Sequence, residues 1–413
     1  MMADGFGYRK TAIGPIPNDW KMSTVGNEFT IQLGKMLDAG RNVGVAKPYI
    51  GNRAVQWGRI DTSDLQTVPM SRKDIEMYRL QKGDLLVCEG GDVGRAAIWN
   101  APFEDCYFQK SLHRLRPIRA FDSRLMVAIL QRWSDQGLLA NYVTQTSIAH
   151  LPREKFLELP IPLAPVAEQR AIAEALTDVD ALLDGLDRLI TKKRDLKLAA
   201  MQQLLTGRTR LPGYVDGWAE TTLDQIGTFL KGTGVRKDEA QTGNLACVRY
   251  GEIYTHHNDY IKAFNSWISA EVAATATKLK YGDLLFAGSG ETISAIGKCV
   301  TFVDECEAYA GGDIVILRTS NTDPMFMGYY CNTVHINAQK SSKGQGNAVV
   351  HISATALASV VVTLPSIEEQ TAIAAVLSDM DTELAALESR RDKTIALKQS
   401  MMQELLTGRT RLI

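Results

Sequence analysis

The chain has no excess of charge of either sign. Its 413 residues carry 46 lysines and arginines against 47 aspartates and glutamates, a formal net charge of −1. Nucleic-acid binders are usually more basic, so any such role requires cations gathered on particular faces. Long apolar runs are missing too: none approaches the roughly 18 residues that cross a bilayer. Met1–Lys10 lacks the basic-then-apolar pattern of an export signal, and a cytoplasmic protein is expected. The six cysteines form no C-x-x-C pair, and no histidines stand at finger spacing, which argues against zinc and for buried, reduced thiols. No Pro-Pro pair occurs, so the Pro-Pro-aromatic motif that grips an extruded base in amino-methyltransferases is absent; Asp323-Pro324-Met325-Phe326 matches it imperfectly. The apolar fraction of 45% is that of an ordinary globular protein, and the length suits two or three folding units.

The dominant positive feature is a duplication. Leu204–Leu211 reads LLTGRTRL, and so does Leu405–Leu412, an offset of 201 (405 − 204). The same offset aligns Glu168-Gln169 with Glu369-Gln370 and Asp178-Val179-Asp180 with Asp379-Met380-Asp381. Both copies have helical periodicity. Ile172, Leu176, Val179, Leu183, Leu186 and Ile190 alternate steps of four and three, as do Ile373, Leu377, Met380, Leu384 and Leu387. Further on, the seam is expected to pass through Leu196, Ala200 and Leu204, and through Leu397, Met401 and Leu405. Ser366 and Glu369 have capping-box spacing, and Gly207 and Gly408 are suited to end the helices. Each helix should run about 40 residues, roughly 60 Å. A single apolar stripe needs a partner, and the two helices are expected to pair antiparallel in a pseudo-twofold molecule.

Fainter echoes precede the helices. Trp20 matches Trp218, Gly83-Asp84-Leu85-Leu86 matches Gly282-Asp283-Leu284-Leu285, and His150 matches His351. Ile314–Leu317 and Val360–Thr363 read as strands. The expected organisation is α+β: globular domains over 1–165 and 212–366, and conserved helices over 166–211 and 367–413.

These motifs resemble the DNA specificity subunit of type I restriction-modification enzymes. The helix openings Ala167–Ala173 (AEQRAIA) and Glu368–Ala374 (EEQTAIA), and the endings Met201–Gly207 (MQQLLTG) and Met402–Gly408 (MQELLTG), carry the resemblance over essentially the whole chain. It implies two target recognition domains, each reading one half of a split DNA site. It also implies two modification (methyltransferase) subunits clasping the helices, restriction/translocase subunits joining for cleavage, and no catalysis in this chain. S-adenosylmethionine is then expected in the modification subunit and no cofactor here.

One stretch points elsewhere. Phe286–Thr292 reads FAGSGET, like the glycine-rich S-adenosylmethionine loop of DNA methyltransferases, and Gly297-Lys298 hints at a phosphate loop. A self-contained methyltransferase is therefore an alternative, and a coiled-coil scaffold without DNA affinity is another. The phosphate loop fails on spacing: six residues separate Gly290 from Gly297 where four are required, and Cys299 replaces Ser or Thr. Ile296–Val303 looks like a strand rather than the required helix, so a glycine-built hairpin is the expected structure. His256-His257 would point opposite ways on a strand, against a shared metal. Lys192-Lys193-Arg194 reads as a solvated helix face with a possible contact to a partner.

DNA contact is expected in loops poor in carboxylates. Gln339–Asn347 has two cations, several amides and no acid, which makes Lys340, Lys343 and Gln345 candidates. Its counterpart Asn141–Ser147 is amide- and hydroxyl-rich but uncharged. Arg53, Gln56 and Arg59 surround Trp57, and Arg249 and Tyr250 occupy the matching segment. Arginine and glutamine supply bidentate contacts to guanine and adenine edges.

Overall fold

A computed structural model of the chain describes residues 7–412 except 39, 41, 146–148 and 347–348. Asn347 and part of Asn141–Ser147 therefore lie outside the described residues. The chain forms two compact units, whose boundaries divide the two expected helical segments and leave the two expected globular segments whole. Unit 1 joins Met1–Asp187 to Ser389–Ile413, and unit 2 is Arg188–Glu388.

Unit 1 is built on a four-stranded antiparallel sheet in the order Ala96–Ile98, Leu85–Cys88, Leu112–Pro117, Phe29–Leu33. Leu85-Leu86-Val87-Cys88 is apolar throughout because both its faces are covered. Leu85 and Val87 join the core with Phe29, Leu115 and the helix Ser123–Asp135, whereas Leu86 and Cys88 join Ile50, Trp99 and Phe108. A smaller sheet orders Tyr107–Phe108, Val45–Ile50 and Gln66–Met70.

Unit 2 repeats the plan. Its main sheet orders Gly227–Lys231, Ile314–Thr319, Asp283–Ala287 and Cys299–Thr301, all antiparallel. Leu284 and Phe286 pack toward Phe326 and Met327, and Leu285 and Ala287 toward Val300 and Ile316. The FAGSG segment thus leaves a strand whose two neighbours both run antiparallel to it. A dinucleotide-type loop needs a parallel sheet and a helix opening directly behind the glycines. Here Ser289–Gly290 instead pairs with Val350–His351, and the chain returns through Cys299–Thr301, so the hairpin is wider than a tight turn.

Val166–Leu204 and Ile367–Leu405 are helices of 39 residues each. Gly207 and Gly408 follow their ends at φ +66° and +67°, the left-handed conformation glycine tolerates. The Glu-Gln pair opening each helix anchors it. Gln169 donates to the Ala164 carbonyl (2.8 Å) and accepts from the Asp122 amide (3.2 Å), while Gln370 donates to Pro365 (3.0 Å) and accepts from Asp323 (3.0 Å). Asp122 and Asp323 cap the helices Ser123–Asp135 and Pro324–Tyr330, so each long helix is stapled to the helix beside its own sheet.

Within each unit a half of one long helix packs antiparallel on a half of the other. In unit 1 Lys398 bonds Asp180 (2.6 Å) and Arg391 approaches Asp187 (4.0 Å); in unit 2 Lys197 bonds Asp381 (2.8 Å) and Lys193 bonds Glu383 (2.6 Å). The pairs follow a register in which one number rises as the other falls. Ile172, Leu176, Leu186, Ile190, Ile373, Leu377 and Leu384 are buried along the expected seam. Leu196 and Leu397 are not: they are 46% and 54% exposed. Lys197 and Lys398 face inward in their place, because each finds a carboxylate on the opposite helix. Lys193 and Arg194, expected on a solvated face, also reach across, to Glu383 and Glu388.

Candidate nucleic-acid interface

In unit 1 the expected contact residues share one surface. Val55–Gln56 and Arg59–Ile60 form a two-stranded hairpin with Gly58 at φ +71° in its tip. Arg53 and Arg59 are exposed, and Gln56 is half-exposed with its amide donating to the Arg53 carbonyl (2.8 Å). Among the described residues Arg53 has no ion-pair partner, so its charge is available. Beside it lies a cleft of about 370 Å³ lined by Asn52, Gln66, Gln109, Tyr49 and Asp64. The Tyr49 hydroxyl donates to Gln66 Oε1 (2.7 Å), and Gln109 donates to the Ser111 hydroxyl (2.6 Å), so both amides are held in fixed orientations. Asn52, Gln66 and Gln109 come from three separate segments, and no local motif announces them.

In unit 2 the candidates scatter. Lys340 is not in a loop: Val334–Lys343 is a helix, and Lys340 is 0% exposed. Its ammonium donates to the carbonyls of Gly297 (2.6 Å) and Cys331 (2.8 Å), and burial lowers its pKa. It cannot reach a phosphate. Lys343, at the end of the same helix, is half-exposed and donates to the Ser359 hydroxyl (2.8 Å). Gln345 projects an exposed side chain while its backbone pairs with His351 (2.9 and 2.8 Å). Arg249 is committed as well: its guanidinium donates to buried Glu252 (3.0 Å) and to the Ser266 hydroxyl (3.1 Å). That geometry serves the fold more than a base edge. Tyr250 follows it, 39% exposed.

The two matched histidines hold the exits of the central strands. His351 Nδ1 lies 2.9 Å from the Ser289 hydroxyl, and His150 pairs across Gly90 with Nδ1 3.6 Å from Glu89. His256 and His257 diverge. His256 meets the Thr255 hydroxyl at the surface, while His257 is buried, and burial lowers its pKa. Among the described residues no cluster of three or more His, Cys, Asp or Glu side chains could hold a metal. Five cysteines are buried and Cys306 is exposed, all unbridged. No described helix is long and apolar enough to cross a membrane.

Sequence reading also missed a latch at the opening of each long helix. Glu168, 1% exposed, accepts from Arg411 Nε (2.6 Å) and Nη2 (2.8 Å) and from the Trp20 indole (3.0 Å). Glu369 accepts from Arg210 Nε (2.5 Å) and Nη2 (2.6 Å). The last arginine of each LLTGRTRL thus closes on the glutamate of the Glu-Gln pair that opens the other helix. The repeat gave the signal for both residues without giving their partnership.

The pattern that defines the type I restriction modification DNA specificity domain matches this chain twice, over residues 17–192 and 215–397. The chain belongs to that family. Relatives are distant but collinear. A chain named for the MjaX specificity subunit of a type I restriction enzyme in Methanocaldococcus jannaschii is 22% identical, covering 98% of this chain and 96% of its own. The EcoKI specificity subunit of Escherichia coli is also 22% identical, over 95% and 89%. Among solved structures, the S subunit of a type I restriction-modification system from M. genitalium shares the fold at a TM-score of 0.60 and 16% identity, covering 94% of this chain and 96% of that one.

Proposed function

We propose that this chain is the non-catalytic DNA-recognition subunit of a type I restriction-modification complex. Each globular part reads one half of a split site, and the paired helices carry two modification subunits, with restriction/translocase subunits joining them. The observation that carries this reading is the duplicated family domain, each copy with its own sheet, core and helix anchor. The unpaired Arg53 beside oriented amides adds the expected chemistry. Guanidinium groups bind phosphates or guanine edges, and amides bind adenine edges. S-adenosylmethionine and the transferred methyl group then belong to the modification subunit, a division supported by the antiparallel surroundings of the FAGSG segment.

Co-expression with the modification subunits, followed by methylation mapping, tests the proposal. A bipartite methylated motif is expected. Exchanging residues 1–165 for those of another family member should alter one half of that motif only. Alteration of both halves would overturn independent reading, and methylation by the purified chain alone would revive the methyltransferase alternative.

A further inference from the structure

The two copies of LLTGRTRL have identical sequence but unequal cover. In unit 1, Thr407 and Gly408 are buried beneath the antiparallel hairpin Tyr8–Thr11 and Gly14–Pro17. The Tyr8 hydroxyl donates to the Gly408 carbonyl (2.9 Å), the Pro17 ring sits against Gly408, and Ile16 joins Trp20, Leu405 and Leu406 in the core. In unit 2 no hairpin precedes Trp218. Thr206 is exposed and Gly207 half-exposed, and an open groove of about 440 Å³ remains, floored by Leu205, Thr206 and Gly207 and walled by Trp218, Tyr330 and His335. Trp218 is less well seated than its counterpart. Trp20 is 2% exposed and donates to Glu168, whereas the Trp218 indole N–H finds no acceptor among the described residues.

We propose that this groove is a docking site for a partner protein that presents a proline-bearing β-hairpin of the same chemistry as Tyr8–Pro17. An aliphatic-proline pair packs against Gly207 and Trp218, and a hydroxyl donates to the Gly207 carbonyl. The occupant is inferred from the chain's own solution at the same eight residues. Nucleic acid is a poor occupant, because Arg210, the cation of the groove, is already spent on both oxygens of Glu369. A second copy's hairpin is a poor occupant too. Only Asn18 and Asp19 separate Pro17 from buried Trp20, and Asp19 is held by Arg411 (2.7 Å), so the hairpin cannot reach away from its seat.

The test uses the full chain and a fluorescently labelled synthetic peptide of residues 7–19, GYRKTAIGPIPND, followed by anisotropy. The tethered hairpin outcompetes free peptide at the unit 1 seat, since a short tether supplies about millimolar effective concentration. The signal therefore reports unit 2. Saturable binding is expected, weakened at least about tenfold by Thr206→Arg, which fills the groove from an exposed position, and by a similar factor when Ile16 and Pro17 of the peptide are alanine. Absence of saturation up to about 1 mM peptide, or equal binding by the Thr206→Arg chain or the alanine peptide, overturns the proposal. The assay contains no DNA, so its failure is separable from failure of the recognition reading.

Discussion

Gly207 and Gly408 make a matched pair for measuring what cover does to a helix end. Both follow the same Leu-Leu-Thr and have nearly the same φ, +66° and +67°. Replacing either with alanine incurs the same left-handed backbone cost, about 1–2 kcal/mol. The surroundings differ. A Cβ on Gly408 would lie 2.4 Å from Pro17 Cγ, 2.7 Å from Pro17 Cδ and 3.2 Å from Trp20, inside ring atoms that cannot swing away. The nearest atoms to a Cβ on Gly207 would belong to Trp218, no closer than 3.3 Å. Overpacking typically adds about 1–3 kcal/mol. Gly408→Ala should therefore cost about 1–3 kcal/mol more than Gly207→Ala, equivalent to roughly 2–4 °C in Tm per kcal/mol for units of this size. Thermal melts of the two variants measure the difference. Amide exchange in Leu85–Cys88 and Asp283–Ala287 reports which unit is loosened. Equal losses, or a larger loss from Gly207→Ala, would show that the hairpin does not press on the Gly408 turn and would refute the argument.

Other outcomes follow from single contacts. Arg411→Ala should destabilise unit 1 by about 3–5 kcal/mol, because it leaves the buried Glu168 carboxylate without its cation, and Glu168→Gln in the same chain should recover part of the loss; a denaturant-measured loss below about 1 kcal/mol would mean the latch behaves as a surface pair. Arg53→Ala should weaken DNA binding by the assembled complex by about 1–3 kcal/mol and relax one half-site only, read from methylation motifs and salt titrations. Lys343→Ala should lower the salt slope of that binding by about one at most, and a slope unchanged by both variants would remove these residues from the interface. Asp259, whose pKa is raised first by burial, makes unit 2 less stable as pH climbs from the ordinary 3.8 through its folded value, since the folded state holds the proton more tightly. Asp259→Asn should flatten that dependence in pH-dependent melts, and an unaltered profile would place the effect elsewhere.

What the sequence made legible was whatever repeated or had a period. The long helices, their glycine ends and the two-copy plan could be read from apolar steps and an exact octapeptide. Side chains answering to distant partners could not. Lys340 sat in an acid-free, amide-rich stretch and looked like a phosphate contact, yet its partners are carbonyls of Gly297 and Cys331, brought to it by the sheet and the preceding helix. Arg249 did carry a local warning, since Glu252 stands at capping-box distance and binds it. Leu196 and Leu397 fitted a hydrophobic seam by spacing alone, but inward lysines found carboxylates across the helix pair and displaced them. The amide-lined cleft beside Arg53 draws on three segments that only strand pairing assembles.

The split of the long helices between the two units also sets an order of assembly during synthesis. Unit 2 is a continuous run, Arg188–Glu388, and can complete its contacts once its last residue has left the ribosome. Unit 1 begins earlier but finishes later, because Trp20 and Glu168 wait for Arg411 and the core around Phe29 waits for Met402, Leu405 and Leu406. Loop closure over such sequence separations is slow. The half translated first is therefore the half that folds last, because its core lacks Met402, Leu405 and Leu406 until residues 389–413 arrive.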